Sequence, residues 1–248
     1  MFSLMRAEWY KLTRGNALWL VLGGLAILFS VIQVLPSGNR SWDGTPLTFS
    51  DGFVFGVGES TFAIVSGIIF LALSVGRDFG NGTLTHYIAA GHSRSRVVYG
   101  RFFSFLAGFL VICIAAPFLR GMLLGVLHGI GAPFAKLDGI TPLFSYAWRV
   151  FLLQLPFYFS LASLFYAGAV AAKGALGSLL VPGGMYMALK FLEGPGPFGK
   201  YLPIYQWELS AMPGLDWAVW WTGTAVAVGI AALSLGSCWF LFRRMELR

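Results

Sequence analysis

The chain has 248 residues, of which 57% are hydrophobic and only 11% are charged, and its formal net charge is +7. So few charged residues cannot cover a water-soluble globule, whereas a surface that faces lipid needs almost none. The composition therefore excludes an ordinary soluble domain, argues against a basic nucleic-acid-binding surface and predicts an integral membrane protein.

The amino-terminal segment has the pattern of an amphipathic helix that lies on a membrane surface. Its apolar residues recur at helical spacing, with basic residues between them: Phe2, Met5, Trp9 and Leu12 against Arg6, Lys11 and Arg14. No small-residue cleavage site follows, so we expect the segment to be retained and not removed as a signal peptide. The alternative is a positively charged flank that only anchors the first membrane span.

Six long apolar runs follow along the chain. A helix needs about 20 apolar residues to cross about 30 Å of hydrocarbon, and the predicted spans are 17–35, 53–76, 102–127, 150–172, 174–192 and 217–242. The fourth and fifth are separated by little more than Lys173 and Gly174. We predict a hairpin there, because one helix over both runs would greatly overshoot the membrane. The whole chain, 1–248, would form a single transmembrane domain of the all-α class.

The distribution of charge predicts the orientation of these spans. If the amino terminus is cytoplasmic, the inner segments hold most of the basic residues, namely Arg6, Lys11, Arg14, Arg77, Arg94, Arg96, Arg101, Lys173, Arg243, Arg244 and Arg248. Most acidic residues then fall outside, as the positive-inside rule expects. Both termini are therefore predicted to be cytoplasmic.

Ionisable residues within the apolar runs fall near the ends of the predicted spans. Arg120 follows Arg101 at a distance of about 28 Å along a helix, which places it near the outer interface. Glu59, Arg149 and Lys190 lie near outer ends in the same way. No ionisable side chain is predicted at the midplane, which argues against coupled proton or ion transport.

The inner loop 77–101 is predicted to contain a short helix over residues 83–90, bracketed by Gly82 and Gly91. One face of that helix would consist of Leu84, Tyr87 and Ile88. A short helix with an apolar face outside the membrane needs a surface on which to pack. The alternative is a solvated connector.

Motifs of catalysis and cofactor binding are weak in this chain. Residues 194–201 match the start of a nucleotide-binding P-loop, but Tyr201 replaces the Ser or Thr that would hold magnesium, and no strand is predicted before the segment. The sequence around Ser93 lacks the last glycine of a nucleophile elbow, and the three histidines form no metal motif. We therefore predict that the chain is not an enzyme and holds no cofactor or metal.

The opening and the inner loop also share motifs with a known family. The opening runs Arg6-Ala-Glu8-Trp9-Tyr-Lys11-Leu12, and the loop reads Asp78, three residues, Gly82-Thr83, and later Gly91-His-Ser93-Arg94. Together they resemble the permease subunits of type-2 ABC exporters, the group that includes bacitracin- and lantibiotic-resistance transporters and phenol-soluble modulin exporters. In that family the segment equivalent to 193–216, rich in Gly and Pro here, carries short re-entrant helices before the last span.

The resemblance implies an exporter built from two permease copies and two separately encoded ATPase subunits, which would bind the ATP and magnesium. It makes the amino-terminal segment an interfacial helix and residues 83–90 a coupling helix that inserts into the ATPase. The residues implied in ATPase coupling are Gly82, Thr83, Leu84, His86, Tyr87 and Ile88. Those implied in supporting the loop and the interfacial helix are Glu8, Lys11, Asp78, Gly91, Ser93 and Arg94.

The resemblance also implies a bacterial plasma-membrane location, while the cargo follows only from the composition of the spans. Apolar and aromatic spans with few fixed charges favour a hydrophobic or amphipathic cargo, such as a membrane-active or antimicrobial peptide, in antibiotic resistance or immunity. The second permease could be an identical copy or a related chain. The alternatives are a stand-alone membrane immunity or anchor protein that binds a toxin without pumping it and, ranked below it, an intramembrane enzyme.

Overall fold

The computed structural model covers most of the chain. It describes residues 10, 14–34, 47–80, 83–91, 93–128, 140–194, 196–212 and 214–244. The predicted amino-terminal amphipathic helix, with Glu8 and Lys11, lies outside the described residues, as does Gly82 of the inner loop. For Leu84 and His86 only the backbone is described.

Every regular element of the described chain is helical, so the predicted all-α class is confirmed for these residues. The α-helices are α1 (Asn16–Val34), α2 (Phe49–Gly58), α3 (Ser60–Leu71), α4 (Arg77–Gly80), α5 (Thr83–Ala89), α6 (Arg94–His128), α7 (Ile140–Ala172), α8 (Ala175–Leu192), α9 (Pro203–Ser210) and α10 (Trp217–Arg244). A π-helical turn, Ala72–Gly76, joins α3 to α4, and a 3₁₀ turn, Gly199–Tyr201, precedes α9.

Five helices among the described residues are long and apolar enough to cross a bilayer. They are Ser60–Phe79, Arg94–His128, Ser145–Ala172, Ala175–Leu192 and Trp217–Arg243. The chain thus has the helices of a multi-pass membrane protein. The predicted first span forms α1, but its apolar helix Asn16–Ile32 is shorter than the other five. A sixth crossing by α1 stays a prediction.

The second predicted span differs from its expected form. A continuous helix was expected over 53–76, but the helix is interrupted at Glu59, which has an extended backbone with ψ of 111°. The apolar helix that can cross the membrane begins after this break and runs through the π-turn to Phe79. At this break the Glu59 carboxylate pairs with Arg120 of α6.

The helix before the break, α2, packs closely along α6. Gly56 makes this approach possible, because a Cβ added there would lie 2.7 Å from the Cα of Pro117. Thr48 caps the start of α2, where Asp51 accepts hydrogen bonds from the backbone amide (2.9 Å) and the hydroxyl (2.6 Å) of Thr48. α6 has 35 residues and is about 52 Å long. α2 therefore covers the end of a helix that exceeds the thickness of the hydrocarbon.

The fourth and fifth predicted spans are separate helices in the structure. α7 ends at Ala172, and α8 starts at Ala175 after Lys173 has adopted a left-handed backbone with φ of 54°. At its other end α7 begins at Ile140 and not at residue 150. The Tyr146 hydroxyl donates a hydrogen bond to the Ala211 carbonyl, which holds the added turns of α7 beside the end of α9.

The core combines residues of α1, α3, α6, α7 and α10, and its bulkiest members are mostly aromatic. Its largest fully buried side chains include Phe102, Phe105, Phe109, Phe157 and Phe165. The Tyr166 hydroxyl donates to the Val98 carbonyl at 2.9 Å, so α7 is also tied to the start of α6 by a buried hydrogen bond. This aromatic core supports the inner loop at one end of the molecule and α9 at the other.

Candidate functional site

The inner loop contains a short helix, α5, between α4 and α6. α5 spans Thr83–Ala89, one residue less than the predicted segment. The chain turns away from this helix at Gly91, which has φ of +85° and whose amide donates to the Ile88 carbonyl at 3.0 Å. This left-handed conformation favours glycine and closes the helix before α6 begins at Arg94.

A buried ion pair lies beneath this helix. The Arg101 guanidinium is 2.5 Å from the Asp78 carboxylate, and both side chains are buried. The guanidinium carbon of Arg101 is also 5.2 Å from the centroid of the Tyr87 ring, within the range of a cation–π contact. These three residues, the Arg101 cluster, join α4, α5 and α6. A displacement of α5 would therefore act on both helices that flank the loop.

The predicted coupling residues have different positions around this cluster. Tyr87 and Ile88 are half-buried and pack against the protein's own core, so part of the predicted apolar face of α5 points inward. Thr83 is half-buried, whereas Gly91 and Ser93 are exposed. Ala89, the last residue of α5, is exposed, and so is Ala90 directly after it.

Two of the predicted supporting residues contact other parts of the chain. Asp78 binds Arg101, and the exposed Arg94 donates a hydrogen bond of 3.0 Å to the backbone carbonyl of Arg243 at the end of α10. Glu8 and Lys11 of the same set lie outside the described part of the chain. Within the described part, both residues connect the loop to the membrane helices.

A cavity of about 360 Å³ lies next to the Arg101 cluster. Its polar lining comes from the start of α1, the π-turn, the loop and α6, and includes Asn16, Ser74, Asp78, Thr83, Arg101 and Ser104. The cavity lies between the start of α1 and α6 and borders α5 at Thr83.

The π-turn connects the cluster to the membrane helix α3. Gly76 at its end packs directly on the start of α8, since a Cβ added to Gly76 would lie 2.9 Å from the Cα of Ala175. The Ser74 hydroxyl donates to the Phe70 carbonyl at 2.6 Å in the same turn. π-helical turns are rare and are frequent at functional sites. Sequence reasoning missed this turn, for which no local signal is evident.

Sequence reasoning also missed the role of Arg101, which it treated only as one of the inner basic residues. Its partner Asp78 is far away in the sequence, on the other side of the loop, so helical spacing could not indicate the pair. A basic residue and an acidic residue at the two ends of one loop were the only available signal.

A second polar cluster occupies the opposite end of the molecule. It consists of Glu59, Arg120, Lys190, Glu193 and Glu208, and we refer to it as the distal cluster. The Glu59 carboxylate pairs with Arg120, while Lys190 lies 2.5 Å from Glu193 and 2.8 Å from Glu208. Ser60 donates to Glu208 at 2.7 Å, so the cluster connects α3, α6, α8 and α9.

Gln154 donates hydrogen bonds to backbone carbonyls beside the distal cluster. Its Nε2 atom donates to the carbonyls of Val57 and Trp207, each at 3.1 Å, and its Oε1 atom accepts a hydrogen bond from Tyr158. Interrupted helices at membrane depth require such substitutes for water. Gln154 thus holds the end of α2 and the short helix α9 against α7.

The segment that resembles a P-loop has a different geometry. It follows the helix α8 and not a strand, and its last glycine, Gly199, opens a 3₁₀ turn that separates the segment from α9. The Lys200 ammonium lies 4.9 Å from the Tyr201 ring. Among the described residues, no three His, Cys, Asp or Glu side chains are grouped so that they could hold a metal ion.

Comparison with known proteins identifies no family. No protein-family model matches the chain, and no curated protein matches it. The functional proposal therefore depends on the residues and their geometry.

Proposed function

We propose that this chain is the membrane-spanning permease subunit of an ATP-driven type-2 ABC exporter. ATP would be bound and hydrolysed by a separate ATPase subunit, present in two copies beside two permease copies. The observation that supports this proposal best is the Arg101 cluster. It joins α5, a short helix whose carboxyl-terminal residue Ala89 is exposed, to both helices that flank the loop.

The cluster offers a direct mechanical path. If an ATPase moved α5, the Tyr87 ring would displace Arg101 on α6, and the ion pair would transmit the movement to Asp78 on α4. Packed helices and a buried ion pair transmit small displacements because they do not deform continuously. The neighbouring cavity borders Asp78, Thr83 and Arg101, so it lies along this path.

The proposal includes an orientation and a cargo class. The Arg101 cluster would face the cytoplasm of a bacterial cell, both termini would lie on that side, and the distal cluster would lie at the outer interface. The cargo would be hydrophobic or amphipathic, such as a membrane-active peptide, because the spans expose apolar and aromatic side chains. The short helix α9 would take the place of the re-entrant helices, since Ile204 and Trp207 are buried in the protein.

Co-purification tests the proposal. The chain would be co-expressed with each ABC ATPase of its own genome and purified from detergent through a tag on the ATPase. We expect one ATPase to retain the permease. If none of the ATPases retains the permease, the result would contradict the proposal and favour a stand-alone immunity or anchor protein.

The exposed end of α5 supplies the matched variants. Ala89→Arg introduces a large cation at that end and keeps Asp78, Tyr87 and Arg101 unchanged, and we expect it to abolish retention. Ala171→Arg makes the same change at another exposed position, near the end of α7, and should retain the ATPase. Both variants should elute from gel filtration like the unaltered chain. Equal retention of both would show that α5 is not the binding element.

A further inference from the structure

A second cavity lies between α2, α6 and α7, away from the Arg101 cluster. Its volume is about 290 Å³, and its lining includes Phe53, Cys113, Pro117, Trp148, Phe151 and Tyr158. This volume lies near the lower end of the range of about 300–1,000 Å³ for small-molecule sites. It therefore suits one slender group and not a large ligand.

The wall of this cavity is almost entirely apolar. Its buried polar side chains are Gln154 and Tyr158, while Cys113 adds only a weakly polar thiol and Trp148 lies exposed at the edge. The Gln154 amide nitrogen donates to two backbone carbonyls, and the Tyr158 hydroxyl donates to the Gln154 amide oxygen. Their donor groups are already used within the protein. An occupant that brought polar groups past Trp148 would find no strong hydrogen-bond donor left inside.

The position of the cavity along the helices places it within the hydrocarbon. Cys113 and Pro117 follow Arg101 on α6 at about 18 and 24 Å, which is short of Arg120 at about 28 Å. The mouth opens between α6 and α7, where Ile114 is 43% exposed and Trp148 is 62% exposed. Exposed Trp side chains favour the level of the lipid head groups.

We propose that this cavity binds one acyl chain of a membrane phospholipid from the leaflet at the Arg120 end. The chain would enter past Trp148, and the head group would stay outside at the level of the indole. A bilayer already solvates acyl chains, so the gain comes from dispersion contacts with walls that would otherwise face a void. The site does not depend on the proposed ATPase partner.

A bound chain would also have a structural effect. It would contact Phe53 and Phe118 on one side and Phe151 on the other, and so complete the packing of α2 against α6 and α7. The indole of Trp148 stacks on Phe151 with a centroid distance of 5.9 Å and an interplanar angle of 27°, which makes an aromatic wall at the mouth. We therefore expect the lipid to raise the melting temperature.

Native mass spectrometry of the purified, delipidated full chain tests the site. The probe is palmitoyl-oleoyl phosphatidylglycerol added to the detergent solution. Ala147→Phe fills the cavity from its wall, whereas Ala188→Phe makes the same change at an exposed position outside it. We expect one tightly retained lipid in the unaltered chain and in Ala188→Phe, and retention about tenfold weaker in Ala147→Phe, as for a site that loses its main contacts.

Melting curves show whether each variant is folded. Without lipid, Ala147→Phe should melt no lower than the unaltered chain, and added lipid should raise only the melting temperature of the unaltered chain and Ala188→Phe. If Ala147→Phe does not fold, Ile114→Trp narrows the mouth from the other side and should weaken retention in the same way. Equal lipid retention by the blocked and control variants would overturn the proposal. Displacement of the lipid by an apolar peptide at equimolar concentration would overturn it as well.

Discussion

The carboxylate of Asp78 and the guanidinium of Arg101 lie 2.5 Å apart and are both buried. They stand at the two ends of the loop that carries α5, so one ion pair closes this loop at its base. Buried charges are costly unless they are paired, and the pair therefore fixes how the two flanking helices meet. The Tyr87 ring extends this contact to α5.

Breaking this pair from one side should destabilise the protein strongly. Asp78→Asn leaves the buried Arg101 charge without its carboxylate, and we expect a loss of about 3–5 kcal/mol in the free energy of unfolding. Denaturant unfolding in detergent micelles, followed by circular dichroism, measures this loss. The double variant Asp78→Leu with Arg101→Met removes both charges and should lose less than Asp78→Asn alone. A larger loss in the double variant would argue that the charges stabilise the fold as a pair.

The ring of Tyr87 should determine how firmly α5 is attached. Tyr87→Leu removes the aromatic face opposite Arg101, whose contact is worth about 0.5–1 kcal/mol, while Tyr87→Phe preserves it. We expect Tyr87→Leu to raise amide hydrogen exchange in α5 about two- to fivefold. Exchange in Tyr87→Phe should be unchanged. An equal increase in both variants would assign the attachment to the hydroxyl and not to the ring.

Gly56 should tolerate no side chain. In Gly56→Ala the new Cβ would be 2.7 Å from the Cα of Pro117, a backbone atom that cannot rotate away. We expect a loss of about 1–3 kcal/mol in the free energy of unfolding, as for other overpacked sites. Gly23→Ala in α1 is the matched control, because nothing lies within 4 Å of its added Cβ. That control should be neutral or slightly stabilising, and a similar loss in both would contradict the close α2–α6 contact.

Gln154 should be needed for the backbone groups that it satisfies. Gln154→Leu leaves the buried carbonyls of Val57 and Trp207 without this donor, and we expect a loss of about 1–3 kcal/mol in the free energy of unfolding. Tyr158→Phe removes only the hydrogen bond to the Gln154 oxygen, so its loss should be nearer 0.5–1.5 kcal/mol, roughly the value of one net hydrogen bond. Denaturant unfolding in detergent micelles would compare the free energies of unfolding of the two variants. A larger loss in Tyr158→Phe would contradict this order.

Cysteine labelling should determine the orientation and the crossing by α1. The two natural cysteines, Cys113 and Cys238, are buried and would be replaced by alanine. With a membrane-impermeant maleimide, Met212→Cys should react in intact cells, whereas Ser93→Cys and Tyr10→Cys should react only after permeabilisation. All three residues are exposed. Reaction of Tyr10→Cys from outside, with Ser93→Cys still protected, would show that α1 does not cross.

The sequence by itself was sufficient for features that depend on local chemistry. Long apolar runs predicted helices, since a helix satisfies its own backbone in lipid. The break near Lys173 and the short helix after Gly82 followed from local composition, and both are present in the structure. That Arg120 and Glu59 lie near an interface stays a prediction, and the sequence did not indicate that their side chains pair.

Only the tertiary structure decided which helix faces meet. Three features join residues that are distant in the sequence. They are the ion pair of Glu59 at the helix interruption, the Asp78–Arg101 pair and the hydrogen bonds of Gln154. In a membrane helix that is apolar on every side, periodicity does not distinguish a face that meets protein from one that meets lipid. The sequence likewise did not show that Tyr87 points inward. That direction depends on Arg101, which lies beside the Tyr87 ring in the folded chain.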